Sequence, residues 1–179
     1  AGDWCRVCVL HTHVEMNEAQ IDRGVGVLVG AACGDALGAG YEFGSARVDG
    51  HPEMIGGGLG GFAPGEWTDD TAQTYAIAEV AATGADLRSE AALDAIAQRF
   101  ADWYADNPPD VGIHTNRVLG AVGRHPTAVE MRAASDAVHA RGLQTGGNGT
   151  LMRTSPVALA HLDDPAALIE AAMKVAALT

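Results

Sequence analysis

The 179-residue chain fits one domain, or most of one, and its 47% hydrophobic content gives a sizeable core and is too high for a disordered polymer. Alanine (34) and glycine (23) fill almost a third of the positions while aromatics supply only 5%, so close contacts between small side chains must carry the core. Eleven Lys and Arg against 23 Asp and Glu leave a net charge of −12, which argues against nucleic acid or an anionic membrane as the main partner. An anionic ligand has to be met by metal ions, helix N-termini or backbone N–H groups.

Residues 1–18 read as a leader or extraneous extension. Cys5, Cys8, His11 and His13 put four soft ligands within nine residues, tighter than the usual zinc-knuckle spacing, so a zinc module stands beside coincidence as a reading of this segment. Three cysteines make no disulfide framework, and a cytoplasmic location is expected. Asp3 and Arg6 interrupt what a signal peptide would need. The best apolar run, Gly24 to Gly34, is 11 residues long and falls short of the ~20 that span a bilayer.

A helix is predicted from Ala19. Gly26, Gly30, Gly34 and Gly38 recur along one of its faces; each costs the helix roughly 1 kcal/mol against Ala, so a packing or ligand reason is expected. Gly44 to Gly65 is glycine-rich and reads as a loop too flexible to join the core. A second helix runs from about Asp70 to Thr83, ended by Gly84. The third starts near Ser89 and puts Leu93, Ile96, Ala97, Phe100, Trp103 and Tyr104 on one face until Asn107-Pro108-Pro109 stops it. Shorter patterns cover 113–122 and 126–140, a Gly-rich loop covers 141–150, and a helix is expected over 151–161 with Pro156 near its start. Asp164 and Pro165 open a last one, whose Leu168, Ala172 and Leu178 are expected to face solvent. No alternating pattern appears, and the fold class is all-α.

Polar residues gather at four loop-to-helix junctions. Asp35, in Gly34-Asp35-Ala36-Leu37-Gly38, interrupts an apolar helix and must be a hydrogen-bonded anchor or bind something; Glu42 follows where the chain leaves that helix. Trp67-Thr68-Asp69-Asp70-Thr71 enters the second helix. Capping explains one oxygen-bearing side chain there, whereas four in a row, with adjacent carboxylates that repel, also suit a hard divalent cation. Asp110 to Thr115 follows a Pro-Pro pair and is compatible with an ordinary helix start. Gly146-Gly147-Asn148-Gly149-Thr150 is either a plain loop or one whose backbone N–H groups meet phosphate oxygens, and it is no Walker loop because no Lys follows.

Taken in order, Gly-Asp-Ala-Leu-Gly with Glu-Phe, Trp-Thr-Asp-Asp-Thr, Asp-x-Gly-x-x-Thr and Gly-Asn-Gly-x-x-Met-Arg-x-x-Pro resemble the ADP-ribosylglycohydrolases over roughly residues 19–179. The resemblance implies a compact all-α multi-helix bundle holding two Mg²⁺ or Mn²⁺ ions. It assigns Thr68, Asp69 and Asp70 to the first half of the metal site and Glu42, with Asp69, to catalysis. Asp110 is placed near the scissile group, and Gly147, Asn148 and Gly149 around the ADP-ribose phosphates and ribose. Ile113 stands where the family often has Asn. The family's second metal motif, Asp-x-Asp followed by Thr or Ser, is expected downstream of Thr179, so the chain reads as the N-terminal part of such a domain.

The function implied is hydrolysis of the bond between ADP-ribose and an acceptor, most readily an arginine guanidinium on a protein or a small-molecule ADP-ribosyl substrate. The rival is a member of the same fold that binds ADP-ribose, or serves structurally, without turnover.

Overall fold

The structure, a computed structural model, describes residues 16–44, 46–48, 50–142 and 147–179. The Cys5–His13 cluster lies outside these. Among the described residues seven α-helices and one 3-10 turn form the chain, and the β content is an isolated bridge between Gly57 and Phe62, in keeping with the all-α expectation. In order the helices are α1 (Glu18–Gly38), α2 (Asp69–Ala81), α3 (Glu90–Ala105), α4 (Ile113–Leu119), α5 (Ala128–Ala140), α6 (Ser155–Ala160) and α7 (Pro165–Ala176).

Local chemistry sets the helix starts. Asn17 and Gln20 cap each other's backbone N–H groups at α1 (3.0 and 2.9 Å), and Thr127 and Glu130 do the same at α5. Ser89 caps α3, and Asp164 accepts from Ala166 and Ala167 at α7. The helix expected from 151 begins only at Ser155. Pro156 has no N–H to donate, and its ring clashes with the carbonyl four residues earlier, so no helix runs through 152–156.

Helix α2 is the central element, packed against α1, α3 and α6. Eight of its 13 residues are buried, including Gln73, Ile77 and Val80. The predicted face of α3 meets it: Leu93, Ile96, Ala97 and Phe100 are wholly enclosed. Asp94 on that helix accepts the Ala128 N–H at 2.7 Å and fixes the start of α5.

The structure bears on four further expectations. The glycine-rich segment after α1 is closed on itself and on α1: Phe62 is buried, its N–H and carbonyl pair with Gly57, and Tyr41 Oη bonds the backbone of Glu53 at 3.1 Å. Its glycines permit backbone contact there, for a Cβ on Gly40 would come 2.4 Å from the Gly56 carbonyl oxygen. Leu178, just past the end of α7, is buried, and the large apolar side chains that α7 exposes are Ile169 and Met173. Finally, nothing among the described residues lies within 4 Å of a Cβ placed on Gly26, Gly30, Gly34 or Gly38, so the packing reason sought for that face is not met there. By length and composition α1 with the turn after it (Glu18–Gly44) is also long and apolar enough to cross a bilayer, beyond what the 11-residue run implies. Its buried residues are Leu28 and Ala36.

Candidate active site

The site lies where the C-terminal end of α1 meets the N-terminal end of α2. Thr68 occupies the N-cap position of α2, yet its side chain does not cap that helix. Asp35, reaching across from α1, does so instead. One carboxylate oxygen accepts the Thr68 hydroxyl (2.6 Å); the other accepts the Thr68 N–H (2.9 Å), the Thr71 N–H (3.0 Å) and the Thr71 hydroxyl (2.6 Å). Asp35 is thus the hydrogen-bonded anchor of the two readings open for it. With the cap supplied from outside, Asp69 and Asp70 are released from that task at a helix end that favours negative charge.

Their surroundings are acidic. Burial, and then the charge of Asp70, pushes the Asp69 carboxyl up to about 6, against a 3.4 Å bond from the Gly112 N–H. Burial and Asp35 raise Asp70; burial and Asp70 raise Glu42. Asp110 adds to the repulsion felt by Asp69 and by Glu42. The ion pairs among the described residues form at Arg88, Arg99, Arg132 and Lys174, and none includes Asp35, Asp69, Asp70 or Asp110. The charge of Asp69 acts on the guanidinium of Arg153 without forming an ion pair, and carboxylates crowded in this way suit a hard cation. The set is partial, however. Among the described residues no three His, Cys, Asp or Glu side chains converge closely enough to hold an ion. Thr68, Asp69 and Asp70 fit as part of a ligand set, not as a whole one.

Glu42 sits on the 3-10 turn Glu42–Gly44, where Phe43 adopts a left-handed φ of 53° and is 80% exposed. Together with Asp35, Asp70, Thr71, Thr74 and Met152 it lines a cleft of about 280 Å³. Asp110 lies ahead of α4, whose preceding Gly112 faces Asp69: a Cβ there would come 3.9 Å from Asp69 Oδ2 and equally close to Thr115 Oγ1. Gly149 approaches the same Thr115 hydroxyl, at 3.7 Å for a Cβ. Residues 143–146, including Gly146 of the fourth motif, lie outside the described set. Gly147 and Asn148 are exposed, and the Asn148 carbonyl accepts the N–H groups of Leu151 and Met152 (2.9 and 3.2 Å). All four motifs therefore surround one end of α2.

Sequence reasoning counted Thr71 only among four oxygen-bearing side chains and gave no role to Thr74 or Gln73, which also build this end. Thr71 shares Asp35 with Thr68, Thr74 bonds the Asp70 carbonyl at 2.7 Å, and Gln73 is buried one turn after Asp69. Their signal was present in the pattern: Thr, Gln and Thr on the buried side of a helix are polar where Ala or Leu suffices.

Residues 16–179 match the ADP-ribosylglycohydrolase family, and the chain belongs to it. It is 36% identical over 154 residues to ADP-ribosyl-[dinitrogen reductase] glycohydrolase of Rhodospirillum rubrum, covering 82% of this chain and 47% of that protein. Over 149 residues it is 28% identical to ADP-ribosylarginine hydrolase Tri1 of Pseudomonas putida, covering 79% of this chain and 37% of the other. The chain spans about half the length, or less, of these curated relatives.

Proposed function

We propose that the protein hydrolyses the N-glycosidic bond between ADP-ribose and an acceptor, an arginine guanidinium being the favoured one. The observation that carries this reading is the meeting of Glu42, Asp69, Asp70 and Asp110 at one end of α2, in a chain whose relatives are named for removing ADP-ribose. Two Mg²⁺ or Mn²⁺ ions, held in part by Thr68, Asp69 and Asp70, would supply charge stabilisation at the ribose and lower the pKa of a water. In the hydrolysis a water oxygen bonds to the anomeric carbon as the carbon–nitrogen bond breaks. Glu42 or Asp69 accepts the water proton, and the departing guanidine nitrogen gains one, giving ADP-ribose and free arginine. Carboxyls with raised pKa values are better matched to that transfer near neutral pH than ordinary ones. Asp110 contributes to the leaving-group side, and Gly147, Asn148 and Gly149 receive the ADP-ribose. A cytoplasmic location belongs to the same reading, for an odd number of cysteines makes no disulfide framework.

A second reading, ADP-ribose binding without turnover, draws on the partial ligand set. Release of ADP-ribose from ADP-ribosyl-arginine by the complete gene product, with Mn²⁺ or Mg²⁺ and again with EDTA, separates the two. Metal-dependent release is expected; ADP-ribose binding with no release under any metal supports the second reading.

A further inference from the structure

Arg153 belongs to the fourth motif, and none of the chemistry above uses it. Its side chain is wholly enclosed, with the guanidinium carbon 4.7 Å from the centre of the Phe100 ring. Nη1 donates to Gln73 Oε1 and Nη2 to Thr179 Oγ1, both at 2.6 Å. Among the described residues no carboxylate pairs with it. Burial disfavours the charged guanidinium, and the charge of Asp69, beyond ion-pair distance, offsets this only in part; a cation so enclosed is costly, and an apolar side chain of similar volume often fills such a space at no greater cost. Packing alone therefore does not explain an arginine here.

Its bond to Gln73 joins two parts of the site. Gln73 stands four residues after Asp69, on the same face of α2. Arg153 itself directly follows Met152, whose N–H closes the turn on the Asn148 carbonyl. A parallel link runs beside it, since the Thr74 hydroxyl bonds the Asp70 carbonyl and reaches the Met152 carbonyl at 3.4 Å. The planar guanidinium offers donors at a fixed separation while stacking on an aromatic ring; an ammonium cannot hold the same two acceptors in that plane.

We infer that Arg153 is a positioning residue, which holds the Gly147–Met152 loop in register with the Asp69–Asp70 end of α2 so that a ligand lying across both meets them at a fixed separation. The identity of that ligand rests on the proposed function; the clamp does not.

The test uses Arg153→Lys and Gln73→Leu in the complete gene product. Without ligand, the Leu151 and Met152 amides are expected to exchange about tenfold faster or more in either variant, while those of Ile96 and Ala97 on α3 stay within about twofold. ADP-ribose affinity should fall about tenfold or more, and Mn²⁺ affinity without nucleotide less than about threefold, because a small misplacement harms a ligand spanning two elements more than one bound to a single element. The double variant should be no worse than the poorer single one, as for two ends of one link. Unchanged exchange at 151 and 152, a rise shared equally by α3, or equal losses of ADP-ribose and Mn²⁺ affinity overturn the inference. Should Arg153→Lys fail to fold, Gln73→Leu carries the same readouts. A wild-type protein that binds no ADP-ribose overturns the proposed function and leaves amide exchange to decide on the clamp.

Discussion

A Cβ on Gly58 would lie 2.3 Å from the carbonyl oxygen of Ala39, so the glycine-rich loop rests on the end of α1 through a contact that admits no side chain. Gly58 also holds a φ of +65°. Gly58→Ala should cost about 1–3 kcal/mol in strain. It should also lift the loop from the chain just ahead of Glu42, lowering turnover at least tenfold if placement sets the rate. Urea denaturation and an ADP-ribose release assay check both; an unchanged unfolding midpoint contradicts the contact.

Asp35 offers a second test, because its carboxylate receives two N–H groups and two hydroxyls. Asp35→Ala should destabilise the protein by at least about 2 kcal/mol, since charged acceptors matter more than neutral ones and four donors lose their partner. Asp35→Asn, which keeps one acceptor oxygen, should lose less. Equal losses in the two variants would show that the oxygen retained in Asn contributes nothing and that the charge and the other oxygen carry the whole effect.

For Asp69 and Asp70 the expectation is reversed. Neither caps α2, so Asp69→Ala or Asp70→Ala in the complete gene product should abolish turnover and leave helical content nearly unchanged by circular dichroism. Near-normal activity in both variants would remove them from the site.

The pH response of metal-free protein follows from Asp69. Its carboxyl is raised from an ordinary 3.8 to about 6 in the folded state, so between those values the folded chain binds more protons than the unfolded one. Stability from this group is therefore present below about pH 4 and lost as pH rises through about 6. With EDTA present, wild type should be more stable at pH 5 than at pH 7, and Asp69→Asn should flatten that difference. A wild-type stability that rises from pH 5 to pH 7, with no change of slope in the variant, contradicts the assignment.

Helix-level features were open to reading because they depend on neighbours in sequence. Leu93, Ile96, Ala97 and Phe100 announce the buried face of α3 by spacing alone, and Asp164-Pro165 announces the start of α7. The four motifs likewise gather at one end of α2. What sequence alone withheld depends on long separations. That Asp35 caps a helix 33 residues away, or that Gln73 meets Arg153 across 80, is decided by packing and not by propensity. The compactness of the loop after α1 was hidden for another reason: eight glycines from 44 to 65 look permissive, and at Gly56 and Gly58 they mark backbones in contact, as Gly40 does just ahead of them.

Helix α1 buries little, with Leu28 and Ala36 its enclosed residues, and its apolar side chains are spread around the axis, Val27 and Val29 being 43% exposed each. Such a cylinder has little in its hydrophobic surface to choose one rotation over another. Advancing it by one residue turns it by about 100°, which would carry the Asp35 carboxylate away from Thr68 and Thr71. The four bonds at Asp35 thus act as an index mark, selecting a single angular setting for α1 and with it the direction in which the chain departs towards Glu42.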